Sequence, residues 1–164
     1  MIAAVIFDFD GTLINLPIDY NKLFQEFSQI MGISDIQPIT RTIPKLDAKT
    51  KTRIFEVWER AEIAVLKDKT LNNEGMALYE KYSEKPKALV TMQGKTLVRK
   101  ALGPLGLSFN IVVTREDNLD RVAQLEIALQ KLGTRFENLL FIGNTEGDFN
   151  AAQQVKCQFL KVGK

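Results

Sequence analysis

The sequence predicts an α/β fold: a doubly wound, mostly parallel five-stranded Rossmann-like sheet, interrupted after its first strand by an all-helical insertion. Three observations predict it. Apolar runs of strand length recur along the chain, the later runs alternate with amphipathic helical patterns, and residues 15–85 carry helical patterns with no strand between them. With 164 residues the chain has the size of one domain, or of a core carrying one insertion.

The first strand is expected over residues 2–7, where the apolar run "IAAVIF" stops at Asp8 and Asp10. The stretches "NKLFQEFSQIMG", "KTKTRIFEVWERAEIAVLKD" and "NEGMALYEKYSE" then read as helices, punctuated by Pro17, Pro38, Pro44 and Pro86. They predict a helical cap over residues 15–85, with Phe55 and Trp58 in its core. The α/β core is expected from residues 1–14 and 86–164. Its remaining strands are expected at 88–92, 110–114, 138–142 and 157–162, and its helices at 95–105, 119–132 and 148–155. In "LDRVAQLEIALQKLG", Val122, Leu125, Ala128, Leu129 and Leu132 form a broad apolar face, and Gly133 closes the helix. Strands alternating with helices imply right-handed crossovers and parallel pairing.

Composition narrows the chemistry. Apolar residues at 45% and charged residues at 26% are ordinary globular values. The net charge of +2 arises from interspersed signs, so neither nucleic acid nor a membrane surface is an expected partner. The first apolar run is too short to span a bilayer, and no signal-peptide pattern precedes it, so a cytoplasmic protein is expected. The single cysteine, Cys157, excludes an intrachain disulfide and reads as a small buried residue. Histidine is absent. Catalysis, if present, therefore runs on carboxylates, hydroxyls, Lys, Arg and an oxygen-seeking metal.

In an open parallel sheet, ligands gather at the carboxyl ends of the strands. Here those ends carry Asp8, Asp10, Gly11 and Thr12; then Thr91 and Gly94; then Thr114 and Arg115; then Gly143, Asn144, Glu146 and Asp148. Asp8 and Asp10, two residues apart on an extended backbone, point to one side. Two carboxylates ~4 Å apart repel by about 4 kcal/mol at an effective dielectric near 20, so the pair needs a positive partner. "GKT" at 94–96 imitates the end of a phosphate-binding P-loop, but Leu89 stands where that motif needs its first glycine.

The stretch "VIFDFDGTL", with Thr91, the loop "GNTEGDFNAA" and a helical insertion directly after the first strand, resembles the haloacid dehalogenase superfamily, and within it the phosphoglycolate-phosphatase-like members. The resemblance covers residues 1–14 and about 86–164. It implies a magnesium-dependent phosphatase in which Asp8 is nucleophile and metal ligand. Asp10 would bind the metal through its backbone carbonyl and serve as general acid and base through its carboxyl group. Phosphate is expected at Gly11, Thr12, Thr91, Met92 and a basic residue, for which Arg121 is the choice and Arg115 the runner-up. The sequence departs from the family at Asn144, where an aspartate metal ligand is usual. Asn144 and Asp148 are assigned to the metal, with Glu146 as an alternative. A purely helix-capping role for the two acids is the competing reading.

The expected substrate is a small phosphorylated metabolite. The alternative is a catalytically weak or inactive relative that binds phosphate or a partner protein, motivated by Asn144. A phosphoaspartate receiver is disfavoured by the long insertion, and a dehalogenase by Asp10.

Overall fold

The computed structural model describes residues 1–163. β1 (Ala4–Phe7) leads through a tight turn to β2 (Ile14–Asn15), and the chain then leaves the sheet. α1 (Tyr20–Met31), the single turn α2 (Ile39–Thr42) and α3 (Ala48–Val65) form the insertion. The chain returns through β3 (Thr70–Leu71), which pairs antiparallel with β2. It continues as α4 (Asn73–Lys81), β4 (Lys87–Val90), α5 (Lys95–Leu105), β5 (Ile111–Val113), α6 (Arg121–Leu132), β6 (Leu139–Gly143), α7 (Glu146–Val155) and β7 (Gln158–Lys161). The main sheet has the order β5-β4-β1-β6-β7, and every neighbouring pair is parallel.

The period-2 alternation of β1 divides the core. Val5 and Phe7 face a cluster with Leu89, Leu97, Leu140 and Ile142, under α4 and α5. Ala4 and Ile6 face Val90, Leu125, Phe141 and Ala152, under α6 and α7. A third cluster, with Leu23, Phe27, Ile54, Val57 and Trp58, fills the insertion. Helix starts follow side-chain caps: Asp19, Asp47, Asn72, Asp120 and Thr145 each accept a backbone N–H of the first turn.

The five predicted strands and three core helices are present, with ends shifted by a few residues. α7 begins two residues before its expected start, because Thr145 and Asp148 form a reciprocal capping box. Two features differ from expectation. Residues 14–15 and 70–71 form a short ribbon at the entry and exit of the insertion, too brief to show any period. And α4, expected inside the cap, packs on the sheet instead. Tyr79 lies against Phe7 and Phe109, and its hydroxyl donates to the Ser108 carbonyl while accepting the Ser108 N–H. Gly75 lets α4 approach the backbone of Thr12, which any side chain at 75 would strike. Cys157, expected buried, is half-buried just before β7. Among the described residues no helix is long and apolar enough to cross a membrane.

Candidate active site

The carboxyl end of β1 sits in the middle of the sheet, so whatever follows Phe7 is flanked by strand ends on both sides. The Asp8 N–H donates to the Ile142 carbonyl at 2.9 Å, which extends the ladder by one residue and fixes the backbone of Asp8. The chain then turns back through Gly11, whose φ of 84° is a conformation that favours glycine. A methyl group there would also collide with the Asn144 side chain. The Thr12 hydroxyl, fully buried, lies 3.4 Å from Asp8 Oδ2 and 3.3 Å from Asn144 Oδ1.

Asp8, Asp10, Gly11, Thr91, Met92, Arg121 and Asn144 come together in one open cleft of about 280 Å³. Thr12 underlies it. A larger groove of about 360 Å³ between α1 and α3 brings together no comparable set of acids, hydroxyls and a guanidinium. The positive partner that the paired acids require is supplied in part by Arg121, the first residue of α6. Its Nη2 donates to Asp8 Oδ1 at 3.2 Å and its Nε to Asp148 Oδ1 at 3.0 Å. Gln124, one turn on, steadies it: Oε1 accepts from Arg121 Nη1 at 2.7 Å, while Nε2 donates to the carbonyls of Thr91 and Asn118.

Arg115, the runner-up, does not reach the cleft. It is buried against Glu62 of α3, 53 residues away in sequence. Asp148 also differs from expectation. Its Oδ2 accepts the N–H groups of Asn144 and Thr145, and its Oδ1 takes Arg121, so it anchors the loop and the guanidinium and does not stand free as a metal ligand. The capping alternative describes Asp148 better. Glu146 does not line the cleft.

Burial pushes the Asp8 carboxyl up to about 7, Arg121 opposing the shift and Asp148 adding to it. Burial likewise lifts Asp10 above the usual carboxylate range, against the Leu16 N–H that donates to its Oδ1 at 2.8 Å. The Thr91 oxygen accepts the Gln93 N–H at 3.0 Å, which leaves its proton to donate into the cleft.

Three acids, Asp8, Asp10 and Asp148, meet a single guanidinium at this site, which leaves a place for a further cation. The oxygens near Asp8 suit a hard divalent cation in kind: its own carboxylate, the Asn144 amide oxygen and the Thr12 hydroxyl, with no nitrogen or sulfur donor. Among the described residues no three His, Cys, Asp or Glu side chains converge as a metal cluster. The set fits the cation by donor type, with a single carboxylate providing formal charge.

Three residues near this site were not legible in the sequence. Tyr20, from the start of α1, brings its hydroxyl to 3.4 Å from Asp10 Oδ2, and Gln93 Nε2 lies 3.5 Å from the same hydroxyl. Gln124 had a usable signal, since it lies three residues beyond Arg121 on one helix face.

A family model described as haloacid dehalogenase-like hydrolase matches residues 5–162. No curated protein matches the chain. Among solved structures, a haloacid dehalogenase-like family hydrolase from Streptococcus pneumoniae aligns with a TM-score of 0.70 and 19% identity, over 98% of this chain and 84% of that one. A protein provisionally named phosphoglycolate phosphatase, from Lactobacillus plantarum, aligns at 0.66 and 23%, over 97% and 86%. CbbY from Rhodobacter sphaeroides, solved in complex with phosphate, aligns at 0.68 and 15%, over 97% and 85%. At these identities the likeness is one of fold.

Proposed function

Because the chain belongs to the haloacid dehalogenase-like hydrolases, we propose that it is a magnesium-dependent phosphatase of small phosphate monoesters, acting through a phosphoryl ester on Asp8. The observation that carries this reading is the Asp8 carboxylate, buried at the tip of the central strand in a cleft it shares with Arg121, Thr91 and Asp10. Burying a carboxylate costs free energy, and here the buried group faces a cleft with a guanidinium and a hydroxyl beside it, which suits a reacting group.

Asp8 Oδ attacks phosphorus, and the bond from phosphorus to the leaving oxygen breaks. The Asp10 carboxyl gives its proton to that oxygen, and burial raises its affinity for that proton. Asp10, now a carboxylate, takes a proton from water, whose oxygen attacks phosphorus and releases Asp8 and inorganic phosphate. Arg121 and the Thr91 hydroxyl bind the phosphoryl oxygens throughout, and Gln124 keeps Arg121 in place. Asp8, the Asp10 carbonyl and Asn144 would hold the cation, which supplies charge neutralisation and orientation of the phosphoryl group. Tyr20, at the start of the insertion, lines the cleft beside Asp10, where a leaving group would sit. The neighbour of the same fold solved with phosphate supports the substrate class.

The test is hydrolysis of p-nitrophenyl phosphate with magnesium and after its removal by chelation. Activity is expected to vanish with the metal and to return on adding it back; activity indifferent to the metal excludes this mechanism. Asn144→Asp adds a second carboxylate to the donor set and is expected to lower the half-saturating magnesium concentration about tenfold. An unchanged or higher requirement would show that residue 144 is not a ligand. The neutral Asn144 also motivates the second reading, a phosphate-binding relative without turnover. Absence of hydrolysis across a broad panel of phosphate esters would favour it.

A further inference from the structure

Beside the cleft, a wholly buried ion pair joins the helical insertion to the sheet domain. Glu62 of α3 accepts Arg115 Nη1 at 2.7 Å and Nη2 at 2.9 Å, with neither side chain exposed. The guanidinium lies 4.2 Å from the Trp58 ring and 5.5 Å from that of Phe55, both also on α3. The same two residues hold two consecutive peptide groups, 92–93 and 93–94. Arg115 Nη1 donates to the Met92 carbonyl at 3.2 Å, and the Arg115 N–H to the Gln93 carbonyl at 3.4 Å. The Glu62 carboxylate accepts the Gly94 N–H at 3.2 and 3.3 Å. Of this loop, Thr91, Met92 and Gln93 line the cleft, and Gly94 lies just behind.

A loop receives an anion through the direction of its N–H groups and hydroxyls, which a rotated peptide plane would lose. Within residues 91–94 the Thr91 hydroxyl accepts the Gln93 N–H, while the Gly94 N–H and the Met92 and Gln93 carbonyls are held from outside by Glu62 and Arg115. We infer that Glu62 and Arg115 are positioning residues for the phosphate-binding loop, so that α3 shapes residues 91–94 and phosphate meets a formed loop only while α3 is docked. The inference rests on the phosphatase reading above and adds to it the origin of phosphate affinity: the loop after Thr91 is braced by the insertion, through Glu62 directly and through Arg115. Phe55 and Trp58, expected simply as core of the insertion, also bring their rings against the guanidinium.

Gly94 offers a probe that keeps both charges. A methyl group there would lie 2.6 Å from Arg115 Nη2 and 3.1 Å from Glu62 Oε1, pressing the pair away from the loop. A second probe is the double variant Glu62→Leu/Arg115→Met, which removes both charges at once and leaves neither orphaned; buried pairs replaced this way commonly keep the fold. The experiment is calorimetric titration of the full chain with inorganic phosphate in the presence of magnesium, alongside thermal melting. Wild type is expected to bind, and Gly94→Ala and the double variant to melt cooperatively and bind about tenfold more weakly. Phe27→Leu, in the core of the insertion, serves as control; it is expected to lower the melting temperature and leave phosphate affinity unchanged. A folded Gly94→Ala or double variant that binds phosphate as wild type does overturns the inference while leaving the phosphatase reading intact. If the double variant does not fold, Gly94→Ala decides alone. Wild type that neither binds phosphate nor hydrolyses an ester removes the phosphatase reading and this inference together.

Discussion

Asp8→Asn is expected to lower turnover of p-nitrophenyl phosphate by about 10³-fold or more, the scale seen when a residue that forms the covalent bond is removed. The amide keeps the shape of the side chain and can still accept from Arg121, but its neutral oxygen is a far weaker nucleophile than a carboxylate. The fold should tolerate the change well. Desolvation is the largest influence on the Asp8 carboxyl, so a neutral group there relieves a strain that the carboxylate imposes on the folded state. Arg121 retains Asp148 at 3.0 Å as a partner. Melting temperature and the magnesium-free circular dichroism spectrum are therefore expected to match wild type while turnover disappears. Substantial turnover in a well-folded Asp8→Asn protein would require another nucleophile and would end the proposed mechanism.

Glu62→Ala is expected to be the most damaging single change to stability, by about 3–5 kcal/mol, because it leaves Arg115 charged and buried with no counterion. At about 2–4 °C per kcal/mol for a chain of this size, that is roughly 6–20 °C in melting temperature. Burial raises the Glu62 carboxyl and Arg115 pulls it back, so pair and burial are balanced against each other in the native state. The exposed pair Arg135–Glu137, at 3.6 Å, makes the contrast. Arg135→Ala should leave the melting temperature within about 1 °C, since surface pairs contribute little. A Glu62→Ala protein as stable as wild type would mean that water reaches Arg115 and that the pair is not sealed.

The sheet was legible because its strands are short apolar runs ending in polar residues, and because the helices after β4, β5 and β6 carry an unbroken apolar face. Asp8, Asp10, Thr91 and Asn144 were picked out from where those runs end and Arg121 from the family resemblance, and all five line one cleft. What escaped has a physical reason in each case. β2 and β3 have two residues each, fewer than any period needs. α4 carries a mixed face, and only the three-dimensional position of Phe109 and Ser108 draws Tyr79 to the sheet. Choosing between Arg115 and Arg121 required the path of the loop between them, where the Thr114 N–H donates to Asp117 and the turn sets α6 facing Asp8. Glu62 reads as a solvated charge within "VWERAEIAV", and its burial depends on an arginine 53 residues later. Asp148 was misplaced because a carboxylate near a helix start has two uses, metal and cap, that spacing alone does not separate.

The β2–β3 ribbon has a further implication for how such a protein changes its preferences. Ile14 lies across from Leu71 and Asn15 from Thr70, so the inserted lobe begins and ends at a single narrow neck. The entropy of closing a chain segment grows slowly with its length, by about 0.6 kcal/mol per doubling. A lobe of another size could therefore be grafted at that neck without disturbing the register of β1 against β4 and β6. Asp8 and Arg121 would stay where they are. Tyr20, beside Asp10, and Glu62, which braces the loop after Thr91, would be exchanged as one unit.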